Sequence, residues 1–486
     1  MAKRLQEASA TAAAGPGGAH RRLFERAAGY ATSFRDGIAA RPPRPLITPI
    51  ELEARLGGPT PEVGAEPLEV IDALAAAADP GLTASTGPRF FGWVIGASDP
   101  VGVAADMLTS AWGQNAGSFT TSPAAALAEK VAARWLLDLL RLPTECSVGF
   151  VTGATMANFV CLAAARNATL ARVGWDVELE GLTGAPPVRL LLGADAHVTV
   201  FAALRYLGFG QKVTRIATDA EGRMDAAALE RALSQGGGPT IVIAQAGQIH
   251  TGAFDPYEEI ARLCGQHGAW LHIDGAFGLW ARTVPELDAL TRGLEHADSW
   301  STDGHKWLQL PYDSGFAIVR DADAHRRAMS ITASYLPIAT QLEYDPGSQV
   351  PELSRRARGF TAWAQLRALG RVGVRELVRR HCALARRLAQ RLAAEPGIHV
   401  LNTIWLNQVI MSFGGEDPNS RAAFTRATVA RLQEDNICLA GSADWHGQTV
   451  LRISVISAPL TEADVDRLAV AITSAWHHVQ SNRSRS

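Results

Sequence analysis

The sequence predicts an α/β fold with a mostly parallel sheet flanked by helices, and the order of its apolar runs carries this prediction. Runs of four or five apolar residues, the length of a buried strand, recur between residues 188 and 319, and stretches with helical periodicity separate several of them. Short buried strands that alternate with helices are typical of βαβ units. At 486 residues the chain is longer than one hydrophobic core usually supports, so we expect two or three structural units.

The predicted elements of the largest unit follow one another from residue 124 onwards. The strands are Val188–Leu192, Ile241–Ala244, Trp270–Ile273 and Phe316–Val319, and the helices are Ala124–Leu140, Met156–Ala171, Val198–Leu207, Ala226–Leu233 and Pro256–His267. Ligands bind such sheets beyond the carboxyl ends of the strands. We expect Asp274 and the loop Ser301–Lys306 to lie at two of these ends.

The N-terminal segment, residues 1–87, has a different character. Ala/Arg-rich helical stretches flank the proline cluster Arg41–Pro45, which cannot continue a helix. Thr48 followed by Pro49 is typical of a helix start, with the threonine as cap and the proline in the first turn. The segment has little core of its own, so we expect it to pack on another body, such as a second subunit.

The C-terminal segment, residues 361–486, is predicted to form a small α+β domain that follows a large domain at residues 88–360. Its predicted elements are helices at 360–369, 374–394 and 421–435, strands at 409–413 and 450–455, and a final helix. Thr461 and Asp464 resemble a capping box at the start of that last helix.

Composition excludes several classes of function. The formal net charge is −2 and 19% of the residues are charged, so the chain lacks the excess of basic residues that is typical of nucleic-acid binding. Five cysteines lie scattered without paired spacing, which argues against a zinc site or a disulfide framework and for a reducing compartment. No run of 18 apolar residues is present, so we expect no membrane span, and the Ala/Gly-rich start lacks the apolar core of a signal peptide. We therefore expect a cytoplasmic protein.

One lysine has a candidate chemical role. Lys306 lies in Ser301–Trp307, 32 residues after Asp274 (306 minus 274), which ends the apolar strand from Trp270. A lysine amine can bind the aldehyde of pyridoxal phosphate (PLP), and a buried carboxylate can keep the pyridine nitrogen protonated so that the ring accepts electrons. Alone, the lysine is more simply interpreted as a solvated surface charge.

A small-residue turn precedes the helix that begins near Met156. Gly153 and Ala154 would let a ligand approach the backbone, and the free N–H groups of the helix start, with the Thr155 hydroxyl, would form a cup for a phosphate. An ordinary βα turn with a threonine cap explains the same residues equally well.

Two further turns follow predicted strands. In Asp195-Ala196-His197 the histidine could lie flat on a pyridine ring, although a hydrogen-bonded loop histidine is the simpler interpretation. The turn at 247–256 is rich in small residues that favour close approach of a ligand, and its Asp255-Pro256 is typical of a helix cap.

The order of these segments resembles the fold-type I, group II PLP-dependent decarboxylases, which include the aromatic-L-amino-acid and glutamate decarboxylases. The resemblance runs from about Pro88 to Ser457. It is carried by Pro88-Arg89-Phe90-Phe91, Thr121-Ser122-Pro123, the Gly153–Thr155 cup, Asp195-Ala196-His197, Gly252-Ala253-Phe254-Asp255-Pro256, Trp270–Asp274, Ala297-Asp298-Ser299 and His305-Lys306-Trp307-Leu308. Any one of these elements is weak, but their unbroken order makes coincidence improbable.

The resemblance implies a fold-type I PLP-dependent transferase fold with a seven-stranded sheet, and a homodimer with shared active sites. It also implies a role for each matching residue. Lys306 would be the Schiff-base lysine, Asp274 the partner of the pyridine nitrogen, His197 and Ala276 the contacts on the two ring faces, Gly153, Ala154, Thr155 and Ser299 the phosphate ligands, His305 a positioning residue, and Tyr344 the proton donor on a mobile loop.

The chain also departs from the family pattern. Gln248-Ile249 replaces a Thr-Thr pair near the cofactor, and Gly304 stands where proline is common. Trp93, Asn115 and Gly117 are the expected substrate-pocket residues, and they make the pocket more open and polar, which disfavours aromatic substrates.

The resemblance predicts α-decarboxylation of an L-amino acid to an amine, with no metal involved. The same site could instead carry out decarboxylation coupled to oxidative deamination, transamination or another cleavage at Cα or Cβ. A hypothesis of a different class is a degenerate family member that acts as a binding or regulatory subunit. The retained Lys306, Asp274 and His197 argue against that hypothesis.

Overall fold

A computed structural model describes residues 17–331 and 344–483. Over these residues helices α1 to α15 are, in chain order, Gly17–Gly37, Pro49–Leu56, Pro67–Ala78, Pro100–Trp112, Pro123–Leu139, Ala154–Ala171, Val177–Glu180, Val198–Tyr206, Ala226–Ser234, Tyr257–His267, Asp288–Thr291, Ala322–Met329, Arg358–Ala393, Pro418–Asp435 and Glu462–Arg483. Strands β1 to β11 are Ser147–Val151, Arg189–Gly193, Thr214–Ile216, Thr240–Gln245, Trp270–Asp274, Ser299–Asp303, Gly315–Val319, Ile398–Val400, Gln408–Phe413, Gly441–Trp445 and Gln448–Ser454.

The first seven strands form one mixed, mostly parallel sheet in the order β1-β7-β6-β5-β4-β2-β3. Strands β2 to β6 run parallel to one another. Strand β7 is antiparallel to both of its neighbours, β1 and β6. The predicted α/β class with a seven-stranded sheet is therefore confirmed. Because these strands are parallel, the carboxyl ends of β4, β5 and β6 lie at the same end of the sheet.

Helix α6 (Ala154–Ala171) lies across one face of this sheet. Small residues such as Ala157, Ala163 and Ala164 are fully buried on it and let the helix approach the strands closely. Leu190 and Leu192 of β2 belong to the core on this face, whereas Leu191 belongs to the core on the opposite face. This period of two is what an extended strand with both faces covered requires.

Strand β6 (Ser299–Asp303) was predicted as a loop in its second half, and that prediction is wrong. Its sequence Ser-Trp-Ser-Thr-Asp is polar, yet all five residues are buried. Ser299 Oγ meets Trp270 Nε1 and His272 Nδ1 at 2.9 Å each, and Ser301 Oγ donates to Asn158 Oδ1 at 2.6 Å. These buried hydrogen bonds replace the apolar contacts that a strand usually makes, so apolarity does not reveal this strand.

The C-terminal part contains an antiparallel sheet in the order β10-β11-β9-β8. Helix α13 (Arg358–Ala393) covers the two helices predicted on either side of residue 370, and Gly370 breaks its helical conformation with φ 58°. The predicted capping box is present at the start of α15, since Asp464 N donates to Thr461 Oγ1 at 3.3 Å and Thr461 N donates to Asp464 Oδ2 at 3.0 Å.

The N-terminal helices lie on the outside of the molecule. Thr48 caps α2 (Pro49–Leu56) as predicted, with Glu51 N donating to its hydroxyl at 3.2 Å. Neither α2 nor α3 (Pro67–Ala78) contains a buried residue. Apolar side chains such as Ile50 and Leu74 are 80% and 56% exposed. In the part of the chain that the structure describes, no helix has the length and apolarity needed to cross a bilayer.

Candidate active site

Lys306 lies in the turn that follows β6 (Ser299–Asp303). Its Nζ is 3.0 Å from Asp303 Oδ2 and 5.9 Å from the centre of the Phe277 ring, and its side chain is 14% exposed. The next residue, Trp307, is buried and its Nε1 donates to His381 Nδ1 at 2.9 Å. Because the tryptophan anchors the turn, the lysine amine is held over the carboxyl edge of the sheet.

Asp274 ends β5, the strand next to β6. It is 4% exposed and accepts hydrogen bonds from Asn158 Nδ2 at 3.3 Å and from the Ala276 N–H at 3.2 Å. Burial lowers the pKa of His197, the positive charge of Lys306 lowers it further, and the negative charge of Asp274 opposes both. The charges of Asp274 and Lys306 thus both act on His197.

Asn158 is a supporting residue that the sequence analysis missed. Its Oδ1 lies 2.8 Å from His272 Nε2 and accepts from Ser301 Oγ, while its Nδ2 donates to Asp274. Burial lowers the pKa of His272 to about 3, so this imidazole stays neutral beside Asn158. Helical spacing could have indicated this residue in the sequence, since residue 158 is one turn after Ala154 and lies on the same side of α6.

The predicted phosphate cup forms at the start of α6 (Ala154–Ala171). A Cβ on Gly153 would lie 3.0 Å from His305 Cε1 and 3.1 Å from Asp303 Oδ1, so the glycine lets these side chains approach. The Ala154 N–H points into the cup and donates to Asp303 Oδ1 at 2.6 Å, and Thr155 is exposed beside it. Among the described residues His305 Nδ1 is buried without a hydrogen-bond partner.

This set of groups fits the phosphate of PLP. A helix N-terminus, an unsatisfied imidazole nitrogen and a nearby lysine are donors to an anion. Helix α6 has 18 residues, and its dipole would favour a negative charge by about 0.3–2 kcal/mol. Lys306 and Asp274 then stand at the two other positions that the cofactor needs, beside its aldehyde and its ring nitrogen.

Ser299 does not reach the cup, so its predicted role as a phosphate ligand is corrected. It begins β6, four residues before Asp303, which is roughly 13 Å along an extended strand. Its hydroxyl is fully buried between Trp270 and His272. Ser299 therefore stabilises the strand that carries Lys306.

Tyr344 is also placed away from Lys306 within the chain. Its hydroxyl donates to the Val148 carbonyl at 3.3 Å, in the middle of β1 (Ser147–Val151) and roughly 10 Å before the end of that strand. Burial raises the pKa of its phenol. The structure thus gives the hydroxyl a partner other than the cofactor site, and residues 342 and 343 of the predicted loop at 342–347 lie outside the described residues.

Asn115 and Gly117, two predicted pocket residues, form hydrogen bonds that connect their loop to a later segment of the chain. Asn115 Oδ1 accepts from the backbone N–H groups of Gly117 and Arg355, at 3.1 Å each, and the Gly117 carbonyl accepts from Gly347 N at 2.9 Å. These contacts tie residues 115–117 to the segment after Tyr344. They do not bring Asn115 or Gly117 to Lys306 of the same chain.

Trp93, the third predicted pocket residue, lines a cavity of about 320 Å³ whose other walls come mostly from the C-terminal part of the chain. Its indole is 62% exposed and stacks on Phe90 with ring centres 5.8 Å apart. Arg452 of β11 lines the same cavity. Burial lowers the pKa of Arg452, and the positive charge of Arg452 lowers the pKa of His197.

The sequence analysis also missed Arg452. The signal was an arginine within the apolar strand Val450–Val455, where a charged side chain is costly unless it meets a counter-charge. No ion pair to Arg452 occurs among the residues that the structure describes. The guanidinium is therefore available for a ligand anion.

The loop that carries His197 is tied to the C-terminal domain. Asp195 Oδ2 lies 3.0 Å from His446 Nε2 and accepts from Thr218 Oγ1 at 2.5 Å. His197 Nδ1 lies 2.8 Å from Thr199 Oγ1, at the start of α8 (Val198–Tyr206).

The described residues contain no cluster of three His, Cys, Asp or Glu side chains suited to a metal.

The fold and this site define a class of protein, the PLP-dependent enzymes built on an α/β sheet. The pyridoxal-dependent decarboxylase conserved domain matches residues 52–413, which is most of the chain. The chain belongs to this family, PLP is its cofactor, and it is a carboxy-lyase of amino acids.

Relatives support this assignment. The aromatic-L-amino-acid decarboxylase of Bacillus atrophaeus is 29% identical over 366 residues, 74% of each chain. The acidic amino acid decarboxylase GADL1 of Bos taurus is 30% identical over 325 residues, 65% of this chain and 61% of the relative. The solved structure of Oryza sativa TDC with PLP and tryptamine has a TM-score of 0.88 at 24% identity and covers 94% of this chain and 97% of that chain. This last likeness supports the fold, fold-type I.

Proposed function

We propose that this protein is an L-amino acid α-decarboxylase that releases carbon dioxide and retains the amine. The observation that carries the proposal is the convergence of Lys306, Asp274 and His197 at one end of the sheet, where the charge of Arg452 also acts on His197. When bound, PLP supplies a ring that accepts the electron pair left at Cα as carbon dioxide departs.

The residues around the ring position have separate roles. Asp274 holds the proton on the pyridine nitrogen, and its hydrogen bonds from Asn158 and Ala276 fix the carboxylate for this contact. His197 covers one ring face as a neutral imidazole, because burial lowers its pKa. Lys306, whose amine lies 3.0 Å from Asp303 Oδ2, would hold the aldehyde of the cofactor.

Arg452 binds a carboxylate of the substrate. A partly buried guanidinium without an ion pair among the described residues gains most from a bidentate acid partner. Trp93 and the polar walls of the cavity leave space for a polar side chain. Of the activities carried by the relatives, the decarboxylation of acidic amino acids agrees best with this pocket, and we expect an acidic substrate.

The protein acts as a homodimer whose sites are shared. The apolar side chains on α2 and α3 need a cover, and a second copy of the chain supplies it. Asn115 and Gly117 are joined in one region with the chain segments at Gly347 and Arg355. In the dimer we expect this region to approach the partner's pocket.

An amino-acid panel tests the proposal. Acidic, diamino and aromatic L-amino acids are incubated with the PLP-loaded enzyme, and carbon dioxide, amine, aldehyde and hydrogen peroxide are measured. We expect stoichiometric carbon dioxide and amine, with the highest kcat/KM for an acidic substrate. Lys306→Ala should lower kcat/KM by at least about 10³-fold, about 4 kcal/mol, and remove the visible absorption band.

The control variant is Lys212→Ala, at an exposed lysine, and it should match the wild type. Aldehyde with hydrogen peroxide as the main products would identify the oxidative route instead. A requirement for a keto acid acceptor would identify transamination. Retention of the absorption band in the Lys306 variant would refute the lysine assignment.

A further inference from the structure

Asp303 places a carboxylate inside the phosphate cup. Its Oδ1 accepts the Ala154 N–H at 2.6 Å, at the N-terminus of the 18-residue helix α6. Its Oδ2 lies 3.0 Å from Lys306 Nζ, and Oδ1 lies 3.4 Å from His305 Nε2. The side chain is 4% exposed. One acidic group therefore accepts the Ala154 N–H of the cup, lies beside His305, and pairs with the lysine that the cofactor needs at its aldehyde.

An ionised carboxylate and a phosphate are both acceptors only, so they compete for the same N–H. Two anions that share a buried site also repel each other strongly. We propose that Asp303 is an internal competitor of the cofactor phosphate and that it sets the affinity of this enzyme for PLP. The inference rests on the PLP site of the proposed function and extends it to how tightly the cofactor is held.

The surrounding backbone leaves the carboxylate little room. A Cβ on Gly315 would lie 2.5 Å from the Cα of Gly153, and one on Gly304 would lie 2.4 Å from Ser314 Oγ, so the strand and the turn are closely packed. The phosphate of the cofactor would therefore have to displace the Asp303 carboxylate by a rotation of its side chain, with the backbone in place. Asp303 would then stay close to Lys306 and His305.

Other charged and titratable groups around Asp303 do not remove the competition. The Tyr312 ring stacks on His305 with centres 4.4 Å apart, and burial, together with the charge of Asp303, raises its pKa to about 12, so the phenol stays neutral. The negative charge of Asp303 also raises the pKa of His197, against the larger effect of burial. The lysine is shared between the carboxylate and the cofactor.

The test compares Asp303→Asn with Asp303→Glu in cofactor-free enzyme. The asparagine has the same size without the charge, and the glutamate retains the charge. Binding of PLP and of pyridoxal, which lacks the phosphate, is followed by quenching of tryptophan fluorescence. We expect Asp303→Asn to lower the Kd of PLP at least about tenfold, the effect of one freed charge-assisted hydrogen bond, and to change the Kd of pyridoxal less than about threefold.

A thermal melt with inorganic phosphate gives a second readout without cofactor. Asp303→Asn should melt at a lower temperature than the wild type without phosphate, because the contact with Lys306 is lost, and should gain more on adding phosphate. In the wild type, the Kd values of PLP and pyridoxal should differ by less than about tenfold. Asp303→Glu should not bind PLP more tightly than the wild type.

The outcomes separate this inference from the proposed function. Unchanged or weaker PLP binding by Asp303→Asn would overturn the role of Asp303 and leave the decarboxylase assignment intact. An equal gain for pyridoxal would also overturn it, since the effect would then not involve the phosphate. Failure of every form to bind PLP would overturn both.

Discussion

Lys306 and Asp274 illustrate how single residues acquire their roles from position. Each comes at the carboxyl end of a strand, and β5 and β6 are parallel neighbours in register, with Asp274 opposite Ser301. A lysine five residues after Ser301 therefore lies above the same edge as the carboxylate. His197 joins them from the end of β2, and its neutral imidazole follows from burial.

Tyr344 yields a prediction at the residue scale. Its hydroxyl hydrogen-bonds the Val148 carbonyl, so Tyr344→Phe removes one neutral hydrogen bond. We expect a loss of about 1 kcal/mol in the free energy of unfolding, with kcat and the amine-to-aldehyde ratio nearly unchanged. Product analysis and urea unfolding check this. A rise in aldehyde in the variant would restore Tyr344 as the proton donor.

At the scale of elements, a buried ion pair joins three parts of the large domain. Arg355 and Glu129 are almost fully buried and their side chains lie 2.8 Å apart. Arg355 also donates to the carbonyls of Ala116 at 3.0 Å and Phe150 at 2.7 Å. The pair thus ties α5 (Pro123–Leu139), the end of β1 and the chain before α13 together, next to the phosphate cup.

Removal of one partner of this pair should be severe. In Arg355→Met the Glu129 carboxylate stays buried without its cation, and we expect the free energy of unfolding to fall by about 3–5 kcal/mol. The double variant Glu129→Leu/Arg355→Met should recover much of this loss, because no uncompensated charge remains. Chemical denaturation of both variants measures the difference. Equal stability of the single and double variants would contradict the argument.

For the whole molecule, buried histidines predict how stability depends on pH. Burial lowers the pKa values of His272 and His381 to about 3 and those of His325 and His250 to about 4, from an ordinary value of 6.5. Below pH 6.5 the unfolded chain binds protons that the folded chain excludes, so the free energy of unfolding falls as the pH falls. Asp255, whose pKa burial raises to about 6, opposes this trend in part.

Each of these histidines changes the free energy of unfolding by up to about 1.4 kcal/mol per pH unit, over the range between its pKa in the folded and in the unfolded chain. We therefore expect marked destabilisation from pH 6.5 to pH 5 and little change above pH 7, measured by urea unfolding. His381→Asn should reduce the slope, because one excluded proton is removed. A slope as steep as that of the wild type would rule out His381 as a contributor.

The proposed dimer gives a second prediction for the whole molecule. Val70 and Leu74 are 49% and 56% exposed and lie four residues apart on one face of α3. Leu74→Arg should raise the dimer dissociation constant at least about tenfold, since a charge would be buried at the interface. Val470→Arg, at a side chain also 56% exposed, is the control. Sedimentation that stays dimeric for Leu74→Arg would place the interface elsewhere.

Most elements of the large domain were predicted to within one or two residues, because their strands are apolar and their helices periodic. The strand predicted at Trp270–Ile273, for example, is observed as Trp270–Asp274. Strand β6 escaped prediction since its polar side chains find buried partners from other elements. Short strands such as β3 (Thr214–Ile216) contain too few residues for a periodic signal.

The sequence by itself determined the α/β class, the end of the strand that carries Asp274, and the family with its cofactor. These properties depend on local pattern and on the order of motifs along the chain. Only the tertiary structure decided that Ser299 supports β6, that the charge of Arg452 acts on His197, and that Asp303 occupies the phosphate cup. Such contacts join residues more than a hundred positions apart or on different strands, and the packing that brings them together leaves no periodic trace in the sequence.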